Sequence, residues 1–147
     1  MRLKLLLPLL LAPVVAQAQT CETTVGSADT MTFDVRSITV PSSCETFTVH
    51  FQHRGRMPKT GMGHNWVLAR SADVESIAKA GVAAGAENNF IAKGDVRVIA
   101  ATPLLGGGES ASVSFQVSAL GKDEKYTYFC SFPGHWSMMR GSLKLEG

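Results

Sequence analysis

A chain of 147 residues, 45% of them hydrophobic, is long enough for one domain that buries roughly two thirds of its unfolded surface. With 14 basic against 12 acidic side chains and no Lys/Arg-rich run, it offers neither an overall field nor a local patch of the kind that holds nucleic acid or an anionic membrane. Both are set aside as partners on that ground.

The chain opens with Arg2 and Lys4, an apolar run from Leu5 to Ala16, and Ala16-Gln17-Ala18. This is the pattern of a secretory signal peptide occupying residues 1–18 and cut after Ala18. The run contains Pro13 and is too short to span a bilayer, so the expectation is one exported domain over 19–147 with no membrane span. Gln19 and Thr20 stand before Cys21 where a lipoprotein signal would place small apolar residues. Arg2 and Lys4 leave with the leader, and the remaining 129 residues carry 12 basic and 12 acidic side chains. That domain has no net charge.

Cys21 and Cys44 come next, and Cys130 is the third cysteine. An exported protein pairs the thiols it can, and the economical pairing is Cys21 with Cys44. Closing that loop contributes about 3 kcal/mol and pins the amino-terminal strand to its neighbour. Period-2 alternation predicts strands at Met31, Phe33 and Val35, at Phe47, Val49 and Phe51, and at Val113, Phe115 and Val117. Further short strands are expected at Asn65 to Ala69, Val96 to Ala100, Tyr126 to Cys130 and Ser142 to Leu145. Turn signals separate them at Pro41-Ser42-Ser43, Arg54-Gly55-Arg56 with Pro58, Gly106-Gly107-Gly108 and Leu120-Gly121-Lys122-Asp123. Such punctuation implies an all-β antiparallel sandwich. One segment departs from it: in Ser71 to Gly85, Val74, Ile77, Ala78 and Val82 fall near helical spacing, with Ser71 or Asp73 to cap the start.

Cys130 ends a predicted strand, and the same parity that aims Tyr126 and Tyr128 inward aims its sulfur inward. The loop Cys130-Ser131-Phe132-Pro133-Gly134-His135-Trp136-Ser137-Met138-Met139 then returns an imidazole five residues on and a thioether four residues after that. A thiolate, an imidazole and a weak thioether match the soft character of copper better than zinc, calcium or magnesium. So short a loop cannot surround an ion alone, and His64, in Met62-Gly63-His64-Asn65-Trp66, is the best candidate for the remaining strong donor. His64, His135 and Cys130 would form a trigonal plane with Met139 at long axial range, the arrangement of blue-copper electron-transfer sites. Gly63 has no side chain to obstruct its carbonyl, which could approach from the other axial side. No position is left for a substrate.

Gly-His-Asn-Trp at 63–66 and Cys-x-Phe-Pro-Gly-His-x-x-x-Met at 130–139, together with an early cysteine pair and a helical insertion, resemble the azurins, bacterial proteins of the cupredoxin family. The likeness spans essentially the whole of 19–147. It implies a Greek-key β-sandwich of about eight strands, a type 1 copper bound by Gly63, His64, Cys130, His135 and Met139, and a disulfide between Cys21 and Cys44. It also implies a periplasmic carrier of single electrons, cycling one ion between Cu(I) and Cu(II), rather than an enzyme. In the same likeness, the backbone N–H groups of Asn65 and Phe132 donate to the Cys130 sulfur, and the Asn65 side chain ties the two ligand loops together.

The resemblance further implies docking of redox proteins, such as c-type cytochromes and periplasmic reductases or dehydrogenases, on an apolar patch around His135. Met31, Met57, Met62, Phe132, Pro133 and Met138 are its candidate members, and a monomer is expected. Trp136 departs from the family pattern, which has a small residue beside the exposed ligand. The ring would either shield His135 or extend the patch. His53 continues the inward series of Phe47, Val49 and Phe51, as a hydrogen-bonded core histidine or as a pH-linked group near the site. His50 has outward parity and reads as a solvated strand residue, and Trp66 as a core aromatic. The rival readings are a copper carrier, which would need exposed exchangeable donors; a structural zinc site, which would not use Met139; and a copper enzyme, which would need a second histidine-rich site.

Overall fold

The computed structural model describes residues 20–147; the expected signal peptide, 1–18, lies outside the described residues. Eight strands form: β1 (Glu22–Ser27), β2 (Ser37–Val40), β3 (Thr46–His53), β4 (Val67–Arg70), β5 (Val98–Ala101), β6 (Ser110–Gln116), β7 (Tyr126–Phe129) and β8 (Arg140–Leu145). A one-turn helix α1 (Lys59–Met62) precedes β4, and α2 (Val74–Ala84) follows it. The strands make a three-stranded sheet in the order β1-β3-β6 and a five-stranded sheet in the order β2-β8-β7-β4-β5.

The sandwich is not purely antiparallel as expected. β1 runs parallel to β3, and β2 parallel to β8. Parallel neighbours cannot be joined by a hairpin. β1 therefore reaches its partner only after the chain has crossed to the other sheet and laid down β2. The Cys21–Cys44 disulfide closes the entrances of β1 and β3, with the two Cα atoms 5.7 Å apart.

Two of the expected strands differ. Met31 to Val35 alternates in sequence, but only Phe33 is buried and it makes a single bridge to Ser27; β1 and β2 on either side form the ladders instead. Val117 turns out of β6 into a short 3₁₀ turn. The helix stands where the spacing put it, but neither expected cap holds: Asp73 makes no capping bond, and the Ser71 hydroxyl bonds Thr127 across the strand at 2.8 Å.

Between the sheets lie Val25, Phe47, Val49, Phe51, Trp66, Leu68, Phe115, Tyr126, Tyr128, Cys130, Met139 and Leu143, all buried. A smaller cluster occupies the outer side of the five-stranded sheet, where Val67, Ala69 and Phe129 meet Val74, Ile77 and Ala78 of α2. This explains why β4 reads Val-Leu-Ala without alternation: it is covered on both faces.

Candidate metal centre

Tyr126 and Tyr128 point into the main core, Phe129 points out beneath α2, and Cys130 is the next inward position, one residue past the end of β7. Its sulfur is fully buried. The loop then turns tightly: His135 donates its N–H to the Phe132 carbonyl at 3.0 Å, and Met139 donates its own to the His135 carbonyl at 2.8 Å. Gly134 sits at φ +83°, a conformation that only glycine adopts without strain. The Met139 carbonyl accepts from Cys130 N–H at 3.0 Å, closing the loop at its base.

His64 follows α1, pinned by a two-bond bridge to Leu105. Its Nε2 lies 2.9 Å from the Ala28 carbonyl, which can only accept, so the proton sits on Nε2 and the lone pair of Nδ1 is free. Nδ1 of His64 lies 3.8 Å and Nδ1 of His135 3.6 Å from the Cys130 sulfur. The three donor atoms fall within 4.8 Å of one another, all on buried residues. The Gly63 carbonyl oxygen is 3.8 Å from the same sulfur. Met139 is fully buried in the core cluster that contains Cys130. Gly63 has ordinary extended backbone angles, so its lack of a side chain answers to space: a Cβ there would strike the Lys59 carbonyl and the Leu104 side chain.

Burial fixes the protonation states. It pushes the Cys130 thiol up to about 12, a shift opposed by the backbone N–H groups of Asn65 and Phe132. The same two donors were expected at the sulfur. His64 is pushed down to about 4, mainly by desolvation and then by the neighbouring His53. Desolvation lowers His135 as well. Both imidazoles are therefore neutral at pH 7, the form in which a histidine binds a metal.

The surrounding bonds make the cavity a frame rather than a gap. Asn65 Nδ2 donates to Ser131 Oγ at 2.8 Å, and Ser131 N–H donates back to Asn65 Oδ1 at 2.8 Å, tying the two ligand segments together. The Asn89 carbonyl accepts from both Asn65 Nδ2 and Ser131 Oγ, at 3.1 and 2.9 Å. Asn89 and Phe90 adopt left-handed angles, φ 56° and 53°. Phe90 meets Phe132 edge to face at 5.3 Å, and Phe132 lies over the His135 ring at 4.6 Å. Ala28, Asn89 and Phe90 carried no sequence signal: a backbone carbonyl and a loop 40 residues from Cys130 join the site only through tertiary structure. Ser131 lies inside the quoted motif, and its adjacency to Cys130 was the one available clue.

Trp136 turns away from the site. It is half-buried against the α2 cluster, and Phe132 is the ring that covers His135. His53 is a hydrogen-bonded core histidine: Nε2 donates to the Met62 carbonyl at 2.8 Å, Nδ1 accepts from Gly55 N–H at 3.1 Å, and its ring stacks on His64 at 4.6 Å. His50 is less solitary than expected, lying 2.7 Å from Ser112 Oγ and 3.2 Å from Glu22. His135 is 5% exposed, so only a small edge reaches the surface. Of the methionines expected around it, Met57 and Met138 are prominent, at 41% and 61% exposure; Met31 and Met62 are half-buried.

A family model described as copper binding proteins of the plastocyanin/azurin family matches residues 19–146. The chain is 71% identical over 126 residues to azurin iso-2 of Methylomonas sp. strain J, covering 86% of this chain and 98% of that one. It is 54% identical over 146 residues to an azurin of Methylobacillus flagellatus, covering 99% of each. A solved structure of the Methylomonas azurin superposes with a TM-score of 0.85 at 69% identity, covering 88% of this chain and all of the other. Eight strands in two sheets with a helical insertion are the cupredoxin fold, and the two imidazoles and one thiol make a site for one copper ion. Enclosed donors and sequence agree on a blue-copper electron carrier, not an enzyme, and the chain belongs to the plastocyanin/azurin family of copper-binding proteins.

Proposed function

We propose that this protein is a periplasmic single-electron shuttle whose copper would be held by His64, Cys130 and His135, with Met139 and the Gly63 carbonyl as the further candidate ligands. The observation that carries this reading is the enclosure of Nδ1, Sγ and Nδ1 within 4.8 Å in a cavity with no exposed donor. The copper supplies reversible one-electron chemistry between Cu(II) and Cu(I). The chain supplies everything else. Ala28 holds His64 in the tautomer that leaves Nδ1 free, the Asn65 and Phe132 N–H groups stabilise negative charge on sulfur, and the Asn65–Ser131 tie keeps both ligand segments from moving when that charge changes. A held frame keeps reorganisation small, and excluded water denies reactants a place to bind.

Export through residues 1–18 and a periplasmic location belong to the same proposal. So does docking of c-type cytochromes or periplasmic reductases and dehydrogenases where the His135 edge emerges beside Phe132 and Pro133, with the exposed Met57 and Met138 as candidate contacts. An exposed methionine on an apolar surface suits partners that must leave quickly.

The deciding experiment is optical. Mature protein given one equivalent of Cu(II) turns intensely blue through thiolate-to-copper charge transfer, and Cys130→Ser gives a folded, colourless protein. A pale complex from the unaltered chain would overturn the reading in favour of zinc binding or copper carriage.

A further inference from the structure

We infer that the outer side of the five-stranded sheet carries a second recognition surface, centred on Arg36 and Arg140 and suited to the acidic face of a redox partner protein. It deepens the electron-carrier reading and rests on that reading for its purpose. A concavity of about 610 Å³ is lined by Arg36, Thr127, Ser137, Met138, Arg140 and Ser142 with Gly141, and no carboxylate lines it. Both arginines are exposed. Arg54, Lys59, Arg70, Lys79 and Arg97 each form an ion pair; among the described residues Arg36 and Arg140, like Arg56, Lys93, Lys122, Lys125 and Lys144, pair with no carboxylate, and these two are the cations that line the concavity together. Asp34, two residues from Arg36, is engaged by Arg54 at 2.8 Å and by Gly26 N–H.

Residues 19–147 carry equal numbers of positive and negative side chains, so net charge cannot orient an approaching partner. A local pair of uncompensated guanidiniums can. Their position also matters: Ser137 and Met138 belong to the loop of His135 and Met139, so a partner seated on the arginines rests against the polypeptide that encloses the site. A small free anion is a poor fit, because two exposed guanidiniums in solvent are strongly screened and nothing buried reaches toward it. A rigid acidic surface adds several weak contacts at once and covers Met138, whose 61% exposure supplies apolar area at the rim.

The test uses the copper(I) protein labelled with ¹⁵N, at low ionic strength, titrated with an acetylated, amidated hexaglutamate peptide standing in for the acidic surface. Saturable amide shifts are expected at residues 36, 127 and 137–142, absent with hexalysine and weakened at least tenfold in Arg36→Gln/Arg140→Gln. Shifts elsewhere, or shifts the double variant leaves intact, overturn the inference. Equal affinity for inorganic phosphate would mean a small-anion site, and arginine-dependent sedimentation with phosphatidylglycerol vesicles would mean a lipid surface; either overturns it too. The colour on reoxidation is read on the same sample. A protein that never turns blue sinks the electron-carrier reading, while the peptide titration still decides the arginine surface.

Discussion

At neutral pH the metal-free site holds one proton on the Cys130 sulfur, because burial pushes that thiol to about 12 while it pushes His64 down to about 4. Copper uptake must displace that proton. Calorimetry in buffers of different ionisation enthalpy should show about one proton released per ion, with apparent affinity rising about tenfold per pH unit between about pH 7 and 9. Release of two protons would mean an imidazole is charged in the resting site. The same shifts fix the stability of the metal-free protein. Below the ordinary histidine value of 6.5 the unfolded chain takes a proton at His64 that the folded chain refuses until about 4, so stability falls as pH drops through that interval. Above the ordinary thiol value of 9.0 the unfolded chain loses a proton the folded chain retains to about 12, so stability falls again as pH rises. Urea midpoints of metal-free protein should therefore be highest between these limits, and Cys130→Ser should lessen the fall on the alkaline side without abolishing it, because burial also holds the Tyr128 hydroxyl up to about 12. Asn65 acts by a different physics: Asn65→Ala leaves the buried Ser131 N–H without its acceptor, a loss of about 1–3 kcal/mol.

Helix α2 also approaches the site closely at Gly81. A Cβ on Gly81 would collide with the backbone carbonyl of Phe90, the left-handed residue whose ring abuts Phe132. Alanine is favoured over glycine inside a helix by roughly 1 kcal/mol, but a backbone atom cannot swing aside as a side chain can. Gly81→Ala should nonetheless destabilise by about 1–3 kcal/mol and shift the Phe132 resonances; the exposed Val82→Ala should leave both unchanged. At the other end of the sandwich, replacing Cys21 and Cys44 by alanine should cost about 3 kcal/mol in the denaturant midpoint and leave the blue absorption untouched, since neither cysteine contacts the ligand segments. The helix and the inward parity of Tyr126, Tyr128 and Cys130 were legible in sequence because each follows from a local period. β1 and β2 were not: Glu22–Ser27 is largely polar, Ser37–Val40 alternates over only four residues, and their parallel partners lie in distant segments. The ligand motif was legible for the same reason as the parity, a fixed offset on one loop. The frame around it was not, because the Ala28 and Asn89 carbonyls belong to no local pattern.

Across the whole molecule, the three grouped donors come from separate segments: His64 after α1, Cys130 just past the end of β7, and His135 in the loop before β8. Ala28, Asn65, Ser131, Asn89 and Leu105 hold these segments by bonds within the protein. Removing copper should then lower stability without dissolving structure. At free copper a thousandfold above the dissociation constant, binding contributes about 4 kcal/mol, and for a domain of this size that raises Tm by on the order of 15 °C. Calorimetry should show one transition in both forms, since a single core joins the two sheets. Amide exchange makes the sharper distinction. If the cavity stands ready before the metal, the N–H groups of His64 and Ser131, bonded to Leu105 and Asn65, stay protected in metal-free protein almost to the level of global unfolding. If the ion builds the cavity, those two amides exchange freely until copper is added, while those of β3 and β6 do not. The second outcome would remove the physical basis for a small reorganisation on electron transfer, since a site assembled by its metal would relax each time the metal changed charge.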